Sequence, residues 1–185
     1  MRGGNYRLYK KTIAGIVRDF DAIPIVERQK PRVGIVGEIL VKYHPTANND
    51  IVTFLEEEGA EVVVPDLMDF FLYTGYNADF RYKQLGGSLR HKIGADLFIA
   101  YVEFYRREIK RVLERSVRFE PPKSIAHLAG GVKNIISLGH QTGEGWFLTA
   151  EMVELLEAKV CNIAVLQPFA CLPNHITGKG MIQKL

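Results

Sequence analysis

Two short runs of branched apolar residues, separated by roughly one helix, constrain this chain more than any other feature. The first, Arg32-Val-Gly-Ile-Val-Gly-Glu-Ile-Leu40, shows no alternation of polar and apolar residues. A strand of that kind is buried on both faces, as in a parallel sheet. The second, Glu61-Val-Val-Val-Pro65, is closed by a proline, which cannot donate to a sheet ladder. Between them, Ile51, Phe54 and Leu55 mark the core face of a helix. Asn48 or Asn49 can cap that helix and Gly59 can end it. Strand, helix and strand in about 35 residues make a βαβ unit.

A third apolar run, residues 161–167, predicts a third strand. Residues 66–118 read as mostly helical. Leu89, Ile93, Leu97, Tyr101, Tyr105, Ile109 and Leu113 recur every four residues; such a row drifts around a helix, so Phe98 and Phe104 must widen the stripe. Gly86-Gly87 separates this helix from an earlier one, with Ser88 as its cap. After Pro121-Pro122, residues 124–138 suggest a short helix and then a short strand at 134–138. Leu148, Met152, Leu155 and Leu156 outline another helix. Residues 168–175 read as a tight turn, and a last helix begins at Ile176. Near the start, Tyr6, Tyr9, Ile13, Ile16, Val17 and Phe20 share a helical face, and Pro24 and Pro31 bracket a connector. The expected organisation is an N-terminal helix and connector over 1–30 and an α/β domain over 31–185. The last helix has no cap or exit strand, so the domain is expected to be truncated at its C-terminus. The expected fold is a three-layer Rossmann-like α/β domain with a mainly parallel sheet, plus the N-terminal helix and a long helical insertion.

Composition narrows the function classes. Hydrophobic residues are 47% and charged residues 24% of the 185, which excludes a disordered chain. No apolar run reaches the roughly 18 residues that cross a bilayer, and the first residues lack the apolar stretch of a secretory leader. No membrane association and a cytoplasmic location are therefore expected. The net charge of +3 is too mild to argue for nucleic acid, and none is expected as a partner. Cys161 and Cys171 are the only cysteines, so no disulfide framework and no four-cysteine metal site arise within this chain.

In open α/β sheets, ligands bind beyond the carboxyl ends of the strands. The loop after the first strand carries Glu38, Lys42, His44, Asn48 and Asn49. The loop after the second begins at Pro65-Asp66, and the loop after the third holds Gln167, Pro168, Cys171, Asn174 and His175. Glu38 could orient a ligand or cap a nearby helix. His44 and His175 could be ligands, acid–base groups or surface residues. Cys171 could be a packing residue, or a thiolate favoured by the backbone amides of a helix start. Cys161, on the strand itself, reads as core. Gly143-Glu144-Gly145 could expose backbone amides to an anion, or be an ordinary flexible loop. Gly34 and Gly37 lack the spacing of a dinucleotide fingerprint, and Thr177-Gly-Lys-Gly180 has phosphate-loop letters in the wrong order. Arg106, Arg107, Lys110, Arg111, Arg115 and Arg118 alternate with Glu103, Glu108 and Glu114, which resembles a solvated helix face.

Three segments resemble a known family. They are Arg32-Val-Gly-Ile-Val-Gly-Glu-Ile-Leu-Val-Lys-Tyr-His-Pro-Thr-Ala-Asn-Asn49, Gly143-Glu-Gly-Trp-Phe-Leu-Thr-Ala-Glu-Met152 and Gln167-Pro-Phe-Ala-Cys-Leu-Pro-Asn-His-Ile-Thr-Gly-Lys-Gly180. They look like parts of the large activase-related proteins of the 2-hydroxyacyl-CoA dehydratase system, also described as activators of 2-hydroxyglutaryl-CoA dehydratase or CoA-substrate-specific enzyme activases. The resemblance covers residues 6–185 and points to the dehydratase-like region on the C-terminal side of those proteins. It implies an anaerobic iron–sulfur protein whose parent binds a 4Fe–4S cluster, with Cys171 as metal ligand. Gln167, Asn174 and His175 would then be its hydrogen-bonding neighbours. The parent's ATP-binding module and upstream cysteine motifs are missing, so this chain alone is expected to hold no cluster. The implied partners are other domains of the parent, a dehydratase or activator protein, and an acyl-CoA. The sequence thus suggests a fragment of an iron–sulfur electron-transfer protein. The alternative is a non-catalytic α/β module that binds a CoA-type ligand or docks a partner domain. A complete small enzyme using Glu38 and His44 as acid and base lacks supporting spacing.

Overall fold

The computed structural model describes residues 5–26 and 28–185. The reading of residues 1–4 as leader-free, and position 27 of the connector, lie outside the described residues. Helix α1 (Tyr6–Asp21) opens the chain, with Asn5 Oδ1 accepting from the amides of Arg7 at 3.0 Å and Leu8 at 3.4 Å. Strand β1 (Arg32–Gly37) leads into the short helix α2 (Ile39–Tyr43), a 3₁₀ turn (Pro45–Asn48) and helix α3 (Ile51–Glu57). Strand β2 (Glu61–Val63) follows. Helices α4 (Leu67–Gln84), α5 (Leu89–Leu113), α6 (Ile125–Val132) and α7 (Gly145–Glu157) come next, then strand β3 (Asn162–Leu166) and helix α8 (Leu172–Thr177).

The three strands form one parallel sheet in the order β2-β1-β3. The central strand carries the unbroken apolar run. Ile35 and Val36 have no exposed surface, as a strand covered on both faces requires. Register runs from Arg32 opposite Glu61 on one side to Gly37 opposite Leu166 on the other. The chain is therefore a mixed α/β protein with a small parallel sheet.

Most of the core is helical. Leu72, Tyr73, Ile125, Leu128, Val132, Trp146 and Phe147 pack together between α4, α6 and α7. A smaller cluster of Val36, Leu148, Met152, Leu155 and Val160 joins α7 to the sheet. Helix α7 serves both cores, and every residue from Gly145 to Met152 is buried. Trp146 takes its polar edge inside because Nε1 donates to Asn77 Oδ1 at 2.8 Å. Helix α1 packs on α5 through Tyr6, Tyr9, Phe104 and Tyr105, with Tyr9 Oη donating to the Tyr105 carbonyl at 3.0 Å.

Several local expectations are corrected. Residues 134–138 form turns rather than a strand. The last α-helix starts at Leu172, not Ile176, because the segment expected to be a tight turn winds into α8 at Cys171. Ser88 precedes α5 but makes no capping bond through its side chain. Phe54 of α3 is exposed rather than on its core face. The four-residue row on α5 does not face the core. Leu89, Ile93, Leu97 and Tyr101 are all exposed, by 49–66%. A four-residue step overshoots the helical turn and winds off the face that packs on α4. That inner face is instead set by Ile99, Val102 and Arg106.

Candidate functional site

The strand order places the reversal of the sheet between β1 and β3, and their carboxyl ends define the crevice where ligands of open α/β sheets bind. Gly37 and Leu166 lie side by side there, and the Glu38 amide donates to the Leu166 carbonyl at 3.0 Å. Glu38 is a helix cap. Its Oε2 accepts from the amides of Leu40 at 3.0 Å and Val41 at 3.1 Å. Glu144, which is buried, completes the same helix start by accepting from the Ile39 amide at 3.0 Å. Two carboxylates thus satisfy the first amides of α2, where negative charge is favoured. In the turn at Gly143-Glu144-Gly145, one of the three amides is engaged by the backbone. The Gly145 amide donates to Thr142 and the Trp146 amide to His140.

From the other strand, Gln167 reaches His175, with Nε2 2.7 Å from Nδ1. Cys171 is half-buried between them in sequence, at the start of α8. Asn174 has no exposed surface, and among the described residues neither its amide nitrogen nor its oxygen has a hydrogen-bond partner. Gln167 Oε1 is likewise buried and unpaired. The structure therefore gathers Glu38, Glu144, Gln167, Cys171, Asn174 and His175 at one edge. Two candidates stand apart from these contacts. His44 ends α2 and is exposed, and Asn48 accepts from the Ile51 amide at 3.3 Å to support α3.

Cys161 is exposed, which corrects its expected place in the core. It precedes the first residue of β3, whereas Cys171 follows the last. Roughly 17 Å of strand separates them, so one metal centre cannot use both. Among the described residues, no group of three or more His, Cys, Asp or Glu side chains could hold a metal ion. A 4Fe–4S cluster asks for four ligands. One thiolate at the strand edge does not fit a complete cluster.

Sequence reasoning missed the most unusual electrostatic feature. Lys42 Nζ lies 2.5 Å from Glu151 Oε1, and both side chains are at most 3% exposed. The ammonium also sits 4.7 Å from the Tyr43 ring and 5.9 Å from the Phe147 ring. Burial pushes the Glu151 carboxyl up to about 7, outweighing the attraction of Lys42, and Asp69 adds to the rise. Beside this pair, Arg106 is buried, which corrects its expected place on a solvated face. It pairs with Asp69 at 2.8 Å, Glu103 at 3.2 Å and Asp66 at 3.2 Å, and Lys110 meets Glu103 at 2.7 Å. Burial raises Asp69 despite Arg106. The only visible signal for these pairs was a lone charge inside an apolar helix: Lys42 in Ile-Leu-Val-Lys-Tyr and Glu151 in Phe-Leu-Thr-Ala-Glu-Met.

A carboxyl group raised in the folded state binds its proton more tightly there than in the unfolded chain. Its favourable contribution is complete below the unfolded value of about 4.5 and is lost as pH rises through about 7. Asp69 and Glu154 are also raised by burial and act in the same direction. Urea unfolding at pH 5 and pH 8.5 is therefore expected to show lower stability at the higher pH, with Glu151 contributing on the order of 2–3 kcal/mol. Glu151→Gln is expected to remove most of that slope. An unchanged slope would place the titration elsewhere.

No family model, curated protein or solved structure matches this chain. Among the described residues, no helix is long and apolar enough to cross a membrane.

Proposed function

We propose that this chain is a three-layer, Rossmann-like unit of an iron–sulfur electron-transfer protein related to 2-hydroxyacyl-CoA dehydratase and its activator. In this reading Cys171 supplies one thiolate to a 4Fe–4S cluster, and another domain or chain supplies the remaining ligands. The observation that carries the reading is the position of Cys171. It is a half-buried thiol at the carboxyl edge of a parallel sheet, beside the point where strand order reverses. Two further features support it. Gln167 Oε1 and Asn174, which flank Cys171 in sequence, hold unused hydrogen-bonding capacity. Phe169 is fully exposed and Leu172 largely so, giving Cys171 an apolar rim that a covering domain could bury.

The test is anaerobic reconstitution of the longer protein with iron and sulfide, with and without Cys171→Ala. The expected result is loss of iron and of the cluster's visible absorbance in the variant. Equal iron and identical spectra would overturn the proposal. That outcome would favour a second reading, a non-catalytic module that uses the same rim to dock a partner domain.

A further inference from the structure

A groove on the other side of the glycine-rich loop makes different chemistry available. It lies between α4, the first turns of α5 and residues 141–143, with a volume of about 520 Å³. That falls within the roughly 300–1,000 Å³ typical of small-ligand sites. Its walls include Arg81, His91, Asn77 and Phe98, and none of the described residues lining it is a carboxylate.

The Arg81 guanidinium is held in an unusual way. Its Nε donates to Gln141 Oε1 at 2.8 Å, a neutral partner. Gln141 is itself anchored, because Nε2 donates to the Leu138 carbonyl at 3.1 Å and the Asn77 carbonyl at 3.5 Å. The orientation of the amide is therefore fixed by backbone, and with it the orientation of Arg81. Among the described residues, no carboxylate pairs with Arg81 and its two Nη groups make no hydrogen bond. The nearby acids are already used. Asp79 meets Lys83 at 2.7 Å, and Asp96 meets Lys92. A pre-oriented guanidinium without a counter-charge is a recognition device for carboxylate or phosphate oxygens. His91 adds a ring nitrogen, and the positive end of the α5 dipole lies at the same end of the groove. The Phe98 ring supplies an apolar wall. Gly94 leaves the floor open, since a methyl group added there would meet no atom within 4 Å.

We infer that this groove binds a small organic anion, a phosphate monoester or carboxylate with a flat apolar body. Arg81 takes the anion and Phe98 the body. The site is separate from the Cys171 edge and needs no iron, so either assignment can fail without the other.

The experiment is calorimetric titration of the chain with phenyl phosphate, benzoate and benzyl alcohol. Saturable binding of at least one anion and none of the neutral alcohol is expected. Phenyl phosphate binding without benzoate binding identifies the ligand as a phosphate, and the reverse identifies a carboxylate. Arg81→Gln is expected to weaken binding at least tenfold. Gly94→Leu provides a second test, because it fills the groove without removing a contact and replaces a helical glycine with a better helix former. It is expected to abolish binding while the melting temperature holds or rises. No saturable binding of either anion, or equal affinity in Gly94→Leu, would overturn the inference.

Discussion

Lys42→Met is expected to lower the unfolding free energy by about 3–5 kcal/mol near neutral pH, the usual cost of stranding one member of a buried ion pair. Glu151 is 1% exposed, and its second oxygen already lacks a partner. Without Lys42 the first oxygen loses its partner too, and water cannot reach either. The carboxyl can escape part of the penalty by taking up a proton, since burial already holds it near 7. The loss should therefore be smaller at pH 5 than at pH 8. Glu151→Leu added to Lys42→Met removes the stranded charge and is expected to recover most of the stability, since apolar replacements of buried pairs are often neutral or better. Chemical unfolding of the two single variants and the double variant forms a double-mutant cycle. Purely additive losses would mean that the pair does not couple. The pair also ties α2 to α7 across 109 positions of sequence, so α2 and its Glu38 cap should loosen with it. Faster amide exchange at Leu40 and Val41 in Lys42→Met would show that coupling.

The legible parts of this fold are those written in consecutive residues. The double-sided apolar run of β1, the proline after β2 and the run at β3 each state a strand locally, and their spacing implies a parallel sheet. The carboxyl edge follows from that topology, which is why Glu38, Gln167, Cys171, Asn174 and His175 could be grouped in advance. Whether Glu38 faces a ligand or a backbone amide was not legible, because the answer depends on the helical turn of Ile39–Tyr43, too short to show a period. Arg106 and Glu151 were illegible for a different reason. Their partners are brought near by packing, and charge alternation on a helix looks the same whether its face meets water or another helix. The row from Leu89 to Tyr101 states a helix but not its inner side, because a spacing of four drifts around the axis and the face that packs on α4 is set by other residues. Cys161 failed because an apolar run does not say which of its end residues are covered: Val160 is fully buried, whereas Cys161 and Asn162 after it are exposed.

Gly37→Ala is expected to cost about 3 kcal/mol or more, because two separate penalties meet at that residue. Its φ of +145° lies in a region that side chains rarely adopt. An alanine methyl there would also fall 1.9 Å from the Leu166 carbonyl oxygen and 2.7 Å from its carbon. Those are backbone atoms of the paired strand, so no rotamer change relieves the clash. The end of β1 must part from β3, and the 3.0 Å bond from the Glu38 amide to that same carbonyl is lost. Gly59→Ala supplies the control. Its φ of +91° is also unfavourable, but nothing lies within 4 Å of the added methyl, so only the backbone penalty of about 1 kcal/mol remains. Thermal unfolding of both variants measures the difference. Equal losses would mean that the strands do not approach so closely at Gly37. A larger loss at Gly37, with faster reaction of Cys171 with a thiol reagent, would tie the close approach of β1 and β3 to the edge that carries Gln167, Cys171 and His175.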